Sequence, residues 1–213
     1  MAQTLDTIPV SLYETTYDFI KNKKRDVNAV AIVRQQSSTH IFVKKIIDAA
    51  TGKKIKKSMT SWAIDHDGDT YFNLSHSSDM HQPNVFIKLE ITGTYCAAFI
   101  DEHSAQVVKS GGKHYTGGVV GGAIGVVVSE SVKWNKSWKD QYNIQRKVLL
   151  INTSAINEKR KNAEGNLLSR KQVTEFLGEK YAHLEAKELT FESIVALIKK
   201  MNTENPSSLD SKN

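Results

Sequence analysis

The sequence lacks most of the features that assign a protein class directly. Its one cysteine, Cys96, excludes an internal disulfide. No apolar run reaches the roughly 18 residues that a membrane-spanning helix needs. The glycines of Gly117–Gly125 are not followed by the Lys-Ser/Thr pair of a phosphate-binding loop, and no G-x-S-x-G motif occurs. We therefore predict no cofactor.

Metal-binding patterns are weak. His66, His76 and His81 lie near Asp79 and are of residue types that bind zinc, but they form neither an H-x-H nor an i,i+4 pair. The acidic run Asp65–Asp69 has its glycine at the fourth position, and its twelfth position is His76. A calcium-binding EF-hand loop needs glycine at the sixth position and glutamate at the twelfth. We predict a hairpin turn within this run and no metal site.

A nucleophilic centre is also poorly supported. Cys96, Asp101 and His103 are residue types that form a nucleophile, an orienting acid and a base. Side chains alternate between the two faces of a strand, so Cys96 would share its face with Ala98 and Ile100, and Asp101 would point the other way. We predict that Cys96 is a buried thiol and that the protein is not an enzyme.

Composition is that of an ordinary globular chain with a mild basic excess. Of the 213 residues, 39% are hydrophobic and 24% charged, and the net charge is +6. This length suits one domain, which we place at residues 4–202, with a disordered tail at 203–213. The positive charge favours an acidic partner, an anionic lipid surface or nucleic acid. Its basic clusters are scattered and match no recognition motif, so nucleic acid is the weaker choice.

The chain start suggests export. Met1-Ala2-Gln3 resembles the remnant of a signal peptide cut after a small residue, with a new methionine added. We predict a location in the periplasm or at the periphery of the outer membrane after signal-peptide removal. An ordinary cytoplasmic start is the alternative interpretation.

The residue patterns predict an α+β fold, in which an antiparallel meander carries helices from both chain ends. Residues 28–108 are rich in β-branched strand patterns, and residues 147–202 predict a strand followed by helices. Ser11 and Glu14 form a capping-box pattern that predicts a helix over residues 12–22, after an irregular start at residues 4–10. Residues 154–166 read as a polar loop.

Further boundaries follow from turn and cap residues. Asp67-Gly68 predicts a hairpin, and Thr92-Gly93-Thr94 predicts a second hairpin that pairs Val85–Ile91 with Tyr95–Ile100. Ser169 with Gln172 predicts a helix that ends at Leu177. Thr190 caps a last helix, whose apolar face would hold Phe191, Ile194, Val195, Ile198 and Met201.

An apolar Gly/Val segment, residues Gly117–Val128, is the main candidate for function. It contains no polar side chain, and its i,i+4 glycines would let another backbone approach closely. The aromatic and basic flank from Trp134 to Tyr142 is typical of a boundary between water and an apolar phase. We predict these partner-binding residues: Gly117, Val119, Val120, Gly121, Ile124, Gly125, Val126, Trp134 and Trp138. A buried strand or helix, and direct lipid contact, are alternative interpretations.

Three local features together resemble an uncharacterised group of secreted proteins from Bacteroidota. They are Tyr17-Asp18-Phe19 with the following lysines; Ser61-Trp62-Ala63 leading to the Asp67-Gly68 turn, Tyr71 and Gly93-Thr94-Tyr95; and the glycine-rich run followed by a strand and C-terminal helices ending near Asn202. The resemblance implies export and a non-enzymatic character. It also suggests that the protein is a subunit associated with the type 9 secretion translocon.

These observations lead to one preferred function and one alternative class. The preferred function is a periplasmic or outer-membrane-associated protein that docks onto, or plugs, a larger outer-membrane protein complex through the Gly/Val segment. The alternative is a stand-alone ligand-binding module or enzyme of unknown substrate, or a basic surface that binds anionic lipid or nucleic acid.

Overall fold

The computed structural model describes residues 6–101, 137–157, 159, 161–169, 173 and 189–206. Within these residues the chain is mostly β, with ten strands and two α-helices. The strands are β1 Asp6–Tyr13, β2 Arg25–Gln36, β3 His40–Asp48, β4 Ala63–His66, β5 Asp69–Asn73, β6 Val85–Lys88, β7 Tyr95–Asp101, β8 Trp138–Lys139, β9 Gln145–Asn157 and β10 Asn162–Leu167. The helices are α1 Thr16–Ile20 and α2 Phe191–Glu204, and short 3-10 turns lie at Ser58–Thr60 and Leu74–His76.

The first six strands close into an antiparallel barrel in the order β1-β2-β3-β6-β5-β4. Alternate side chains fill its interior, because successive residues of a strand point to opposite faces. This interior cluster is aliphatic apart from two aromatic rings and includes Leu12, Ala31, Ile41, Ile46, Ile64, Tyr71 and Phe86. Closure depends on β1, whose C-terminal half pairs with β4 while its length pairs with β2.

The remaining strands form a second antiparallel sheet in the order β10-β9-β7, with β8 paired to the start of β9. One face of this sheet covers the barrel, through a cluster that includes Trp62 and Phe72 from the barrel and Leu149 and Ile151 from the sheet. The other face carries α2 through Ile194, Leu197, Ile198 and Met201, which are all buried. The described molecule is therefore layered as barrel, sheet and helix.

Two hydrogen bonds between buried groups join the second sheet to the barrel and to α1. The indole N–H of Trp62 donates to the carbonyl of Ala163 at 3.0 Å. The backbone N–H of Ala163 donates to Thr16 Oγ1 at 2.7 Å. At this junction Gly165 leaves room for the ring of Phe72, since a Cβ at Gly165 would come within 3.0 Å of that ring. Barrel and sheet thus meet by close packing and by specific polar contacts.

The fold-class prediction is correct in its antiparallel strands and its C-terminal helix, and the single meander is wrong. β6 pairs with β3 and β5, whereas β7 belongs to the second sheet and pairs with β9. The predicted Val85–Ile91 hairpin is reduced to an isolated bridge between Ile91 and Ala97. The chain turns to a new sheet there because the barrel is already closed by β4 and β1.

The N-terminal prediction is correct in placing a short helix within residues 12–22, and wrong in its start and in the irregular segment before it. Residues 6–13 form β1, and α1 begins only after Thr15, whose side chain and that of Asp18 form the capping box. Pro9 lacks an N–H, and it lies where β1 has not yet met β4. Its carbonyl is 2.9 Å from Nδ1 of His66.

The C-terminal predictions had mixed outcomes. Thr190 caps α2 as predicted, and the apolar face is the predicted one with Leu197 added. Residues 154–166 were predicted to be a loop, and this is wrong. β9 extends to Asn157, and β10 begins at Asn162 and pairs back onto β9. Of the helix predicted after Ser169, the described residue Val173 is helical, and its N–H donates to the Ser169 carbonyl at 2.9 Å.

Candidate docking surface

Four large hydrophobic side chains are exposed in the part of the chain that the structure describes, and two of them lie on one turn. This turn, residues 140–144, connects β8 to β9. Tyr142 is 73% exposed and Ile144 is 45% exposed. Asn143 between them has a φ of +62°, a conformation that asparagine tolerates well. The turn therefore presents an aromatic and an aliphatic side chain to solvent.

One buried carboxylate organises the turn. Asp140 Oδ1 accepts the backbone N–H groups of Tyr142 and Ile144, each at 2.9 Å. Asp140 Oδ2 accepts Nε–H of Arg146 at 2.7 Å. The side chain of Asp140 is only 5% exposed. Because these three donors stabilise the charged form, and the Arg146 bond contributes most, the pKa of Asp140 lies below its usual range.

The turn is also attached to helix α2. The backbone N–H of Gln141 donates to Glu192 Oε1 at 2.8 Å, and this bond is the main reason that the pKa of Glu192 is lowered. The guanidinium of Arg146 lies 5.6 Å from the ring centroid of Phe191, a cation–π distance. The ring of Phe191 meets that of Phe99 edge-on at 4.9 Å. Both ends of the turn are therefore fixed to packed elements.

A fixed turn with exposed apolar side chains is suited to binding. Little conformational entropy remains to be lost there when a partner covers the side chains. Tyrosine in particular brings a large apolar surface and a hydroxyl group to an interface. No described group on the turn is placed as a nucleophile next to a base.

The structure separates the predicted partner-binding residues. Gly117, Val119, Val120, Gly121, Ile124, Gly125, Val126 and Trp134 lie outside the described residues. Trp138 is described, and its side chain is fully buried in the cluster between the second sheet and α2. Trp138 pairs with Arg146 across β8 and β9, so both point to the helix-covered face. Trp138 therefore has a packing role in this fold. In this region the exposed hydrophobic side chains are those of Tyr142 and Ile144.

Sequence reasoning included Tyr142 in the aromatic flank but missed Ile144. The sequence signal that could have found it is the alternation of side chains along the strand. Trp138 points inward and Lys139 outward, and the strand then ends at Asp140, a residue type that favours turns. The two residues that follow at spacing two then leave the sheet. An isoleucine just before a strand is usually predicted to be buried. Ile144 is exposed because of the geometry of the turn, which the sequence pattern does not reveal.

The polar residues considered for metal binding make separate contacts. Ring nitrogens of His66, His76 and His81 each lie near a different backbone carbonyl, at 2.9, 3.1 and 2.8 Å. Asp79 accepts the N–H of Leu167 at 2.7 Å. Within the described ranges, no group of three or more His, Cys, Asp or Glu side chains is placed to hold a metal ion.

The acidic run forms the predicted hairpin. Asp67 and Gly68 both have positive φ, +51° and +84°, as a two-residue primed turn requires. The flanking carboxylates pair with lysines, Asp65 with Lys24 at 3.1 Å and Asp69 with Lys88 at 2.8 Å.

Cys96 is a buried free thiol, as predicted. Its Sγ–H donates to the Gly93 carbonyl at 3.4 Å. Asp101 closes β7 opposite Arg146, and His103 lies outside the described residues.

Comparison with known proteins identifies no relative: no protein-family model, curated protein or solved structure matches the chain. Among the helices that the structure describes, none is both long and apolar enough to span a bilayer.

Proposed function

We propose that the protein is a non-enzymatic interaction protein that docks onto a larger outer-membrane protein complex from the periplasmic side. The observation that carries the proposal is the 140–144 turn, which holds Tyr142 and Ile144 exposed on a backbone fixed by Asp140. In sequence this turn includes the end of the aromatic flank that follows the apolar Gly117–Val128 segment. The resemblance to secreted proteins supports the location.

The proposed contact works by burial of apolar area. Burying a side chain of this size contributes about 1.5–3 kcal/mol when burial is complete. Tyr142 and Ile144 are close in sequence and share one turn, so a single apolar pocket on the partner can cover both. Asp140 keeps them in place before binding, which reduces the entropy cost of association.

The experiment is affinity copurification from detergent-solubilised membranes of the source organism, with the partner identified and its affinity then measured. Replacing Tyr142 and Ile144 by serine removes the exposed apolar surface and leaves Asp140 intact. We expect a loss of about 2–4 kcal/mol of binding free energy, roughly 30- to 1000-fold in Kd. A matched control exists, because Tyr17 and Ile156 are likewise exposed, at 58% and 37%. Their serine variants should keep the outer-membrane partner.

A second variant tests the Gly/Val segment directly. Replacing Val120 and Ile124 by aspartate should abolish copurification if that segment enters the partner, because a buried unpaired carboxylate is strongly unfavourable. Circular dichroism and urea unfolding check that the fold is kept. The proposal is wrong if folded protein carrying either pair of substitutions binds its partner as tightly as the wild type does.

A further inference from the structure

A second surface lies at the start of α1, where the structure brings together two basic segments that are distant in the sequence. The backbone N–H of Thr16 donates to Asn162 Oδ1 at 3.0 Å, and the N–H of Ala163 donates back to Thr16 Oγ1 at 2.7 Å. These bonds join α1 and the basic residues after it to the β9–β10 turn. The basic side chains involved are Lys21, Lys23, Lys24, Arg25, Lys159 and Lys161, all exposed.

The same place carries the other two exposed hydrophobic side chains. Tyr17, 58% exposed, directly follows Thr16. Ile156, 37% exposed, pairs across the sheet with Ala163. Lys21 Nζ lies 5.8 Å from the ring centroid of Tyr17, so a cation already borders the aromatic side chain. We name these residues, Tyr17, Ile156 and the neighbouring lysines, the α1 patch.

Part of this positive charge has no ion-pair partner among the residues that the structure describes. Lys24 pairs with Asp65 at 3.1 Å, and Arg25 pairs with Glu14. Among the ion pairs between described residues, none includes Lys21, Lys23 or Lys161. As far as the described residues go, those three ammonium groups are left for an anionic partner.

We propose that the α1 patch is a peripheral binding surface for an anionic lipid bilayer. A lysine near an anionic bilayer surface is attracted to it whatever the headgroup geometry. Tyrosine prefers the headgroup level, and an exposed isoleucine gains by entering the acyl boundary. A nucleic acid would instead favour arginine forks and several stacking rings. Among the described residues around the patch, the one arginine, Arg25, is already paired with Glu14, and one aromatic ring is exposed.

The surface is independent of the 140–144 turn, so the two proposals can fail separately. Membrane attachment by the α1 patch would place the chain beside a membrane-embedded complex. Its physical basis is charge and interfacial burial, whereas the turn acts by burial in a protein pocket. The serine variants of Tyr142 and Ile144 should therefore affect copurification, and those of Tyr17 and Ile156 should affect vesicle binding.

The test is cosedimentation of the full chain with vesicles of phosphatidylglycerol and phosphatidylcholine, compared with phosphatidylcholine alone. The variant Lys21→Gln, Lys23→Gln, Lys161→Asn neutralises the free charges, and asparagine suits the positive φ of +57° at position 161. Since each lysine strengthens partitioning about fivefold, we expect a loss of roughly 100-fold. Raising the salt concentration should weaken wild-type binding in the same direction.

A control variant changes charge equally elsewhere. Lys53, Lys54 and Lys56 are exposed after β3, and replacing them by glutamine removes the same charge outside the patch. This variant should keep the wild-type affinity for anionic vesicles. Tyr17→Ser with Ile156→Ser should weaken vesicle binding while outer-membrane copurification stays intact.

Three results overturn the proposal. One is equal loss of vesicle binding in the Lys53 control variant, which would show an effect of net charge alone. Another is equal binding to vesicles with and without phosphatidylglycerol. The third is tighter, patch-dependent binding to a single-stranded oligonucleotide than to the anionic vesicles, which would assign the surface to nucleic acid.

Discussion

Replacing Gly93 by alanine should destabilise the protein strongly, because Gly93 lies against the C-terminal helix. Its φ is +146°, and a Cβ built on it would lie 2.8 Å from Cγ and Nδ2 of Asn202. That amide is engaged: Asn202 Oδ1 accepts the N–H of Tyr95 at 2.8 Å, and Nδ2 donates to the Tyr95 carbonyl at 2.9 Å. The substitution must therefore either shift the backbone or displace the amide.

The expected loss in the free energy of unfolding has two parts. Holding a residue with a side chain in a sparsely populated backbone region costs about 1–3 kcal/mol. Losing the paired hydrogen bonds of Asn202 adds about 0.5–1.5 kcal/mol for each bond. We expect a total loss of about 2–6 kcal/mol in the free energy of unfolding, measured by urea denaturation. For a chain of this length each kcal/mol lowers Tm by about 2–4 °C.

A matched control separates the clash from the backbone strain. Gly68 also has a positive φ, +84°, but a Cβ there would meet nothing within 4 Å. Gly68→Ala should cost only about 1–2 kcal/mol. Combining Gly93→Ala with Asn202→Ala should be less harmful than the sum of the two, since the clash is gone. If Gly93→Ala costs no more than Gly68→Ala, the proposed helix contact is not what fixes this glycine.

Two further predictions concern the barrel junction and the turn. Trp62→Phe keeps a ring but leaves the buried Ala163 carbonyl without the indole N–H, so the free energy of unfolding should fall by about 1–3 kcal/mol in urea denaturation; an unchanged value would contradict the role of this bond. In the folded protein the pKa of Asp140 lies below its usual value. The carboxylate therefore stabilises the turn fully above the pKa of the unfolded chain, and this stabilisation is lost as the pH falls through the pKa of the folded state. Hydrogen exchange at the N–H of Tyr142 and Ile144 should therefore lose protection on acidification below about pH 4, the ordinary range of an aspartate, and Asp140→Asn should lower that protection already at neutral pH; protection that is equal in wild type and variant would contradict the role of the carboxylate.

Local signals predicted the local structure well. The Asp67-Gly68 hairpin and the Thr190 cap depend on interactions within a few residues, so the sequence carries their signature directly. The strands around Ala29–Val33 and His40–Ile47 were also predicted, since both are β-branched runs. Their partners were predictable only in part, because pairing depends on residues far along the chain.

Barrel closure is the long-range feature that the sequence did not reveal. β1 was missed because Pro9 and the nearby Ser11/Glu14 pattern favoured a loop followed by a helix. The tertiary pairing with β2 and β4 overrides that local preference, and Thr15 with Asp18 caps α1 instead. Once β1 and β4 meet, β7 must find another sheet, which explains the failed hairpin at Thr92-Gly93-Thr94.

The candidate docking surface was predictable in its position but not in its residues. The aromatic, basic flank pointed to this part of the chain, yet Trp138 faces inward and Tyr142 outward. Which side of a short edge strand is covered depends on α2, more than fifty residues away in sequence. Likewise, the α1 patch exists because Thr16 bonds to residues 162 and 163.

The most direct test of the proposed function is crosslinking from position 142. A photoreactive amino acid in place of Tyr142 should form an adduct with an outer-membrane protein when the full chain is incubated with membranes and illuminated. The same group at the exposed Thr51 should form no such adduct. An intact complex that crosslinks equally from both positions, or only from position 51, would contradict docking through the 140–144 turn.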